Sequence, residues 1–287
     1  MSAPARRLLV CLDGSPRAGD LVRRAAALAR RLDADLIGLR SLRRAAPSPA
    51  ETFARGGEGI RDVLRHLGAE DREAAAAAQA AFEAAAGATA GAPAAFRVAW
   101  DDTPEPDPLI RDADLLAAGH PPLPDLPEAL SAGRLLLTAG RPLVVLPDEG
   151  PEAFAGPVLI AWDGGAAAAG AVEQALPLLS PKSPLTVLVV DGAASPGSTR
   201  GLMDRLQAAG FRPELRTGTS GAGGPAAVIR AVAGELGAGL LVLGGYGRSP
   251  TIERWFGGVT RSLLGDPPCP LLLSHAPARL REAAADA

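Results

Sequence analysis

The chain states the same pattern twice. Setting Asp13 against Asp163 superposes Arg7–Ser41, RLLVCLDGSPRAGDLVRRAAALARRLDADLIGLRS, on Pro157–Asp191, PVLIAWDGGAAAAGAVEQALPLLSPKSPLTVLVVD. Each begins with an apolar run, turns at Asp-Gly or Asp-Gly-Gly, continues into an alanine-rich stretch and ends in a second apolar run. The ends of the two halves also match. Asp114–Gly119 aligns with Gly239–Gly244, and Arg141–Pro147 with Cys269–Ser274. Whatever architecture the first half adopts, the second must adopt it too, and each must join strands through intervening helices.

The apolar runs are short and continuous rather than alternating, the pattern of strands covered on both faces. Five can be placed in each half, near 7–12, 34–40, 95–100, 114–118 and 143–146, then near 157–162, 185–190, 212–216, 239–243 and 270–274. Helical segments between them require parallel crossovers. The fold class expected is therefore α/β, two doubly wound parallel five-stranded sheets with helices on both faces, in tandem. Ser15-Pro16 predicts a capped helix start, and Glu70–Ala86 a helix bounded by Gly87. The Pro, Gly and acidic stretch Asp148–Gly156 has the composition of a linker, giving domains 1–148 and 157–287. Leu143–Leu146 and Leu271–Leu273 would leave apolar edges exposed. The two halves are thus expected to pair through their last strands as an internal pseudo-dimer, with homodimerisation as a further expectation.

Composition excludes more than it assigns. At 287 residues, 47% hydrophobic and 21% charged, the chain suits two globular domains. A net charge of −3 provides no field for nucleic acid or an anionic membrane. No apolar run approaches the ~20 residues of a membrane span, and no signal peptide is evident. Cys11 and Cys269 are the only cysteines and form no CxxC, so reduced thiols and a cytoplasmic location are expected. His66, His120 and His275 are scattered and predict no metal cluster. Walker-type GxxxxGK[ST], a dinucleotide GxGxxG and a GxSxG elbow are all missing. No nucleophile and base stand out, so a binding protein is expected, with weak ATPase activity at most.

The chemistry gathers in the second half. Leu240–Gly247 runs LLVLGGYG, and Gly257-Gly258-Val259-Thr260 follows after a helix-like stretch. A strand ending in spaced glycines that re-enters a helix leaves backbone N–H groups able to cradle an anion. In open parallel sheets the ligand crevice lies outside the carboxyl ends of the strands, where strand order reverses. If the first and fourth strands of a half are neighbours, Asp163 and Gly244 share that edge. Simpler readings compete. Gly244 and Gly247 also suit a tight strand exit, Asp163 a helix cap, and Trp162 core filling. The loop Thr217–Gly224, TGTSGAGG, suits either a ligand cover or a flexible connector.

These motifs resemble the universal stress proteins of the tandem two-domain type, with an adenine nucleotide alpha hydrolase-like fold. The resemblance spans nearly the whole chain. Members with G-x-x-G-x9-G-[S/T] bind ATP, and here Gly244, Gly247 and Gly257 stand at matching spacing, while Gly258 takes the Ser/Thr position. The resemblance implies that ATP or another adenine nucleotide, with Mg, is the cofactor. It implies that Ala161, Trp162 and Asp163 lie along the adenosine, with Asp163 near the ribose and the metal. Val190 and Leu243 would border the adenine; Gly244, Gly247, Gly257, Gly258 and Val259 would face the phosphates. The missing hydroxyl at Gly258 removes a hydrogen bond worth about 0.5–1.5 kcal/mol. Thr260 is the candidate substitute, with Arg248 or Arg261 supplying charge.

In the first half Pro122 stands opposite Gly247, Leu130 opposite Gly257 and Ser131 opposite Gly258. His120–Pro124, HPPLP, replaces the glycine loop, and proline has no N–H to offer a phosphate. One site per chain is therefore expected. The implied function is a stress-response sensor or regulator whose nucleotide state is read by an as yet unidentified protein partner. A nucleotide-free scaffold and a slow nucleotide hydrolase are the alternatives.

Overall fold

The computed structural model describes residues 6–13, 15, 17–42, 69, 72–87, 94–100, 108–122, 130–245 and 258–275. The first half comprises β1 (Arg6–Leu12), α1 (Ala18–Leu32), β2 (Ala34–Leu42), α2 (72–87), β3 (Ala94–Trp100), α3 (Pro108–Asp112), β4 (Leu115–His120), α4 (Ala132–Thr138) and β5 (Leu143–Pro147). The second comprises β6 (Val158–Ala161), α5 (Ala166–Ala175), a 3-10 turn at Leu176–Leu178, β7 (Leu185–Val190), α6 (Pro196–Ala208), β8 (Pro213–Gly218), α7 (Gly224–Leu236), β9 (Leu240–Gly245), α8 (Gly258–Gly265) and β10 (Leu271–His275).

All ten strands form one sheet, ordered β3-β2-β1-β4-β5-β10-β9-β6-β7-β8. Within each half every pairing is parallel, and the first strand lies between the second and the fourth. The halves meet where β10 runs antiparallel to β5, with Leu271, Leu272 and Leu273 opposite Val145, Val144 and Leu143. The apolar edges thus cover each other, as expected from their composition. Among the described residues β3 and β8 are the outer edges, and Val98 and Leu215 on them are the exposed large apolar residues.

Strand pleating explains the continuous apolar runs. Along β1, Leu8, Val10 and Leu12 enter one core layer while Leu9 and Cys11 enter the other. Each layer draws residues from both halves, so the core is continuous across the seam. Helix α1 buries Leu21, Val22, Ala25, Leu28, Ala29 and Leu32 on one stripe and stops at Asp33, whose backbone turns left-handed (φ 51°).

Two local expectations need correction. Ser15 does not cap α1, which begins at Ala18 with no side-chain cap. Its backbone N–H and hydroxyl both turn back to Asp13 Oδ1, at 2.9 and 2.6 Å. A carboxylate two residues away is the stronger acceptor. The same Ser-Pro pair does cap at Ser195-Pro196, where the Ser195 hydroxyl accepts from Ser198 N at 3.2 Å. Nor is the 148–156 segment a loose linker. Ala153 and Phe154 are buried, and Phe154 N donates to Gly239 O at 3.0 Å. A Cβ on Gly239 would lie 2.4 Å from Gly156 N, so this connection passes backbone against backbone.

Candidate functional site

Because β6 lies between β7 and β9, three strand ends of the second half open at one place. Past β6 the chain turns through Asp163, Gly164 and Gly165 into α5. The Asp163 carboxylate accepts from Gly165 N at 2.8 Å, which fixes the turn. Gly164 is left-handed (φ 75°), and a Cβ there would sit 3.0 Å from Ser198 Oγ. Past β7, Val190 is followed by two left-handed residues, Asp191 (φ 55°) and Gly192 (φ 62°). Near the end of β9, Gly244 lies so close to α5 that a Cβ would be 2.5 Å from Ala168 N and 2.8 Å from Ala167 C.

These strand ends and the first residues of α8 bound a cleft of about 320 Å³. Of the residues predicted from sequence, Ala161, Trp162, Asp163, Val190, Leu243, Gly244, Gly258, Val259 and Thr260 line it. Gly247, Arg248 and Gly257 lie outside the described residues. The structure adds Asp191 on the rim, Ile229 on the wall and Pro225 at the start of α7. Two signals could have found these. Asp191 directly follows Val190, and Pro225 directly follows the Thr217–Gly224 loop.

Several side chains have defined duties. Trp162 is 6% exposed and belongs to the core layer opposite that of Leu188, Val190, Ile229 and Leu243; its buried Nε1 has no hydrogen-bond partner. The Thr260 hydroxyl donates to Gly244 O at 3.4 Å, so it ties α8 to β9 and is not free to replace the hydroxyl missing at Gly258. Gly258 itself faces open space, since a Cβ there would meet nothing within 4 Å. Arg261 is exposed on α8 and is not among the lining residues.

The Thr217–Gly224 loop is anchored, not a slack connector. Asp191 accepts from Ser220 N at 2.7 Å and from Ser220 Oγ at 2.5 Å, while Asp191 N donates to Gly218 O at 2.9 Å. Those hydrogen bonds hold the Asp191 carboxyl below its usual range, so it is an anion and an acceptor only. Among the described residues the lining carries two carboxylates, Asp163 and Asp191, and no lysine or arginine. Positive potential comes instead from the backbone, because residues at the starts of α5, α7 and α8 all border the cleft.

The Universal stress protein family model matches residues 4–120 and 155–275. The chain belongs to the universal stress protein family. Its two matched regions correspond to the two halves of the sheet, and its repeat is a tandem of universal stress domains. A universal stress protein from Archaeoglobus fulgidus DSM 4304 is similar along 96% of this chain and 100% of its own, at 16% identity and a TM-score of 0.63. A functionally unknown protein from Pseudomonas aeruginosa PAO1 covers 99% and 98% at 18% identity and a TM-score of 0.52. A putative universal stress protein from Pseudomonas aeruginosa UCBPP-PA14 covers 98% of both chains at 19% identity and 0.51. At these identities the likeness establishes the shared fold. No curated protein matches the chain.

The equivalent corner of the first half is built differently. Arg17 donates to Pro121 O at 3.0 Å and Pro122 O at 3.3 Å, and pairs with Asp148 at 2.5 Å. Asp13 is fully buried. Ser131 caps α4 by accepting from Arg134 N at 3.4 Å, so the hydroxyl that the second half lacks is spent here on a helix end. Among the described residues no group of three or more His, Cys, Asp or Glu could hold a metal ion, and no helix is long and apolar enough to cross a membrane. Both cysteines are buried, and burial pushes the Cys269 thiol up to about 12.

Proposed function

We propose that the second half binds ATP or a related adenine nucleotide in this cleft and that occupancy tunes contacts with a partner protein, making the chain a cytoplasmic stress-response sensor. The observation that carries this reading is the open volume at Gly258, where strand ends, helix starts and an apolar wall meet. The cleft falls within the ~300–1,000 Å³ usual for small-ligand sites. Leu188, Val190, Ile229 and Leu243 suit the faces of a flat base. Asp163, fixed by Gly165 N, has a remaining acceptor oxygen for a ribose hydroxyl or for the hydration shell of Mg accompanying the phosphates. The phosphates extend toward Gly244 and Gly258, where helix starts favour negative charge.

Thermal unfolding with Mg-ATP tests this. At a concentration ~100 times Kd, binding adds about 2.7 kcal/mol to stability. Gly258→Leu is expected to fold normally, since its side chain enters open space, and to abolish the shift by filling the cleft. A wild-type chain that shows no shift with any adenine nucleotide would end the proposal.

A second reading is a nucleotide-free scaffold. Its specific support is the pair of carboxylates in a lining without described cations, together with the engaged Thr260 hydroxyl. Calorimetry without heat on nucleotide addition, for a chain that still captures its partner, selects it. Among the described lining residues no nucleophile and base pair stand together, so neither reading includes turnover.

A further inference from the structure

The solvent side of α1 carries a second feature, unrelated to the nucleotide cleft. Arg23, Arg24, Arg30 and Arg31 line a groove of about 570 Å³ whose opposite wall is the segment after β5, including Glu152. Ala27 forms part of its floor. We propose that this groove docks a short acidic peptide segment of a partner protein.

Helix geometry builds the groove. Arg23 and Arg30, and likewise Arg24 and Arg31, are separated by two turns, ~10.5 Å along the axis. The four guanidinium groups therefore flank the small Ala27 in two rows. Their engagement differs. Arg23 pairs with Asp20, and Arg24 donates to the carbonyl oxygens of Pro147 and Gly150. Arg30 and Arg31 are exposed and have no hydrogen-bond or ion-pair partner among the described residues. Glu152 borders the groove without forming an ion pair there. In a chain of net charge −3, the groove's lining carries four arginines and one carboxylate, Glu152, and this local positive excess survives the pairing of Arg23 with Asp20.

The molecule shows what this surface holds. Its own segment 147–152 lies beside α1, gripped by arginines through peptide carbonyls at Pro147 and Gly150 on Arg24 and, just before the start of α1, through the Asp148 carboxylate on Arg17. Peptide carbonyls and a carboxylate of a bent segment are thus groups the arginines of this helix already satisfy, and Arg30 and Arg31 continue the arginine rows beyond them. Arginine forks suit carboxylates and carbonyls in this way. A chain in polyproline II geometry has three residues per turn and advances ~3.1 Å per residue, so acidic side chains three residues apart lie on one side about 9.3 Å apart, close to the two-turn arginine spacing. A long polyanion fits less well. Glu152 lines the groove, and Asp148 and Glu149 precede it on the same segment, so a duplex or an anionic bilayer lying across the whole face would meet all three carboxylates.

Fluorescence anisotropy on the full chain, without nucleotide, tests the proposal. The probe is a labelled peptide with glutamate at every third position in a Ser/Gly background; the same peptide with glutamine is the control. Saturable binding is expected for the glutamate peptide only, weakening several-fold between about 50 and 200 mM salt. The double variant R30Q/R31Q removes no side-chain hydrogen bond or ion pair among the described residues, so it should keep close to the wild-type unfolding midpoint while losing affinity by roughly tenfold. Glu152→Gln should tighten binding by removing a competing carboxylate. Equal binding of the glutamine peptide, indifference to R30Q/R31Q, or no saturation at all would overturn it. So would tighter binding of duplex DNA or of phosphatidylserine vesicles than of the peptide. Because no nucleotide is present, none of these results depends on the cleft of the second half.

Discussion

The two halves share a strand order and end with opposite solutions at their carboxyl edges. In the second half, Gly244 presses against α5 and Gly258 leaves space in front of α8. In the first, Arg17 ties Pro121 and Pro122 to the start of α1, and Ser131 closes the end of α4. One edge has backbone groups facing a cleft, and the other has them engaged with the chain's own side chains. The difference teaches that a duplicated fold keeps its core pattern under one set of constraints and its sites under another. Gly119 and Gly244 occupy the same place in their halves, yet only Gly244 abuts helix backbone.

Substituting those two glycines gives the largest contrast. Gly244→Ala puts a Cβ 2.5 Å from Ala168 N, backbone that cannot yield cheaply, and is expected to cost about 1–3 kcal/mol. Gly119→Ala meets only the Leu21 side chain, at 3.3 Å, and should remain within about 1 kcal/mol of wild type because a stiffer unfolded chain offsets the contact. Urea midpoints at constant m-value measure both. Equal losses would mean that the halves are not differently packed at this edge.

The aspartates come next. Asp13 is fully buried and accepts both the N–H and the hydroxyl of Ser15, so Asp13→Ala should cost about 1–3 kcal/mol by orphaning them. Asp163 is half-buried and accepts one described hydrogen bond, so Asp163→Ala should cost about 0.5–1.5 kcal/mol while removing the Mg-ATP shift. A larger stability loss at Asp163 than at Asp13 would reverse the assignment of structural and binding roles.

Arg17→Gln tests the tie in the first half. The ion pair with Asp148 is partly exposed, at 35% and 41% of side-chain surface, so the loss should stay within about 1 kcal/mol. Hydrogen exchange should nevertheless accelerate at the Asp148 amide, which donates to His120 O beside the proline pair. Unchanged exchange there would mean that the proline segment holds its shape without Arg17.

The smallest effect is at Asp191. Its carboxyl is held below the ordinary value of 3.8 by Ser220, so the folded group stays ionised where an unfolded one has begun to protonate. The contribution to stability is therefore present above the unfolded value and disappears as pH falls through the folded one. Following the Ser220 amide by NMR during acid titration should place the transition below the usual carboxylate range. Ser220→Ala should raise it part of the way, because the backbone N–H at 220 still donates.

Much of this was legible because periodicity reports burial directly. The ten apolar runs predicted all ten strands, and the aligned aspartates marked equivalent turns. The pairing of Leu143–Leu146 with Leu271–Leu273 followed from the cost of leaving apolar edges in water. The candidate cleft was partly visible as well, since strand-end residues Ala161, Val190 and Leu243 follow from topology. Other features were not. Ser15-Pro16 and Ser195-Pro196 have the same local signal, but a carboxylate precedes only the first, and that competition decides which serine caps. The acidic 148–156 segment looked like a tether until Phe154 was found buried beside the second half.

Sequence alone determined the repeat, the α/β class and the burial of the strands on both faces, because continuous apolar runs and helix spacing are properties of neighbours along the chain. Tertiary structure alone decided that Asp191 anchors the Ser220 loop, that Thr260 is bound to Gly244 and that Arg17 holds the proline segment. The physical reason is that each of these contacts joins groups distant in sequence. Nothing in the order of residues states which donor meets which acceptor until the sheet brings its edges together.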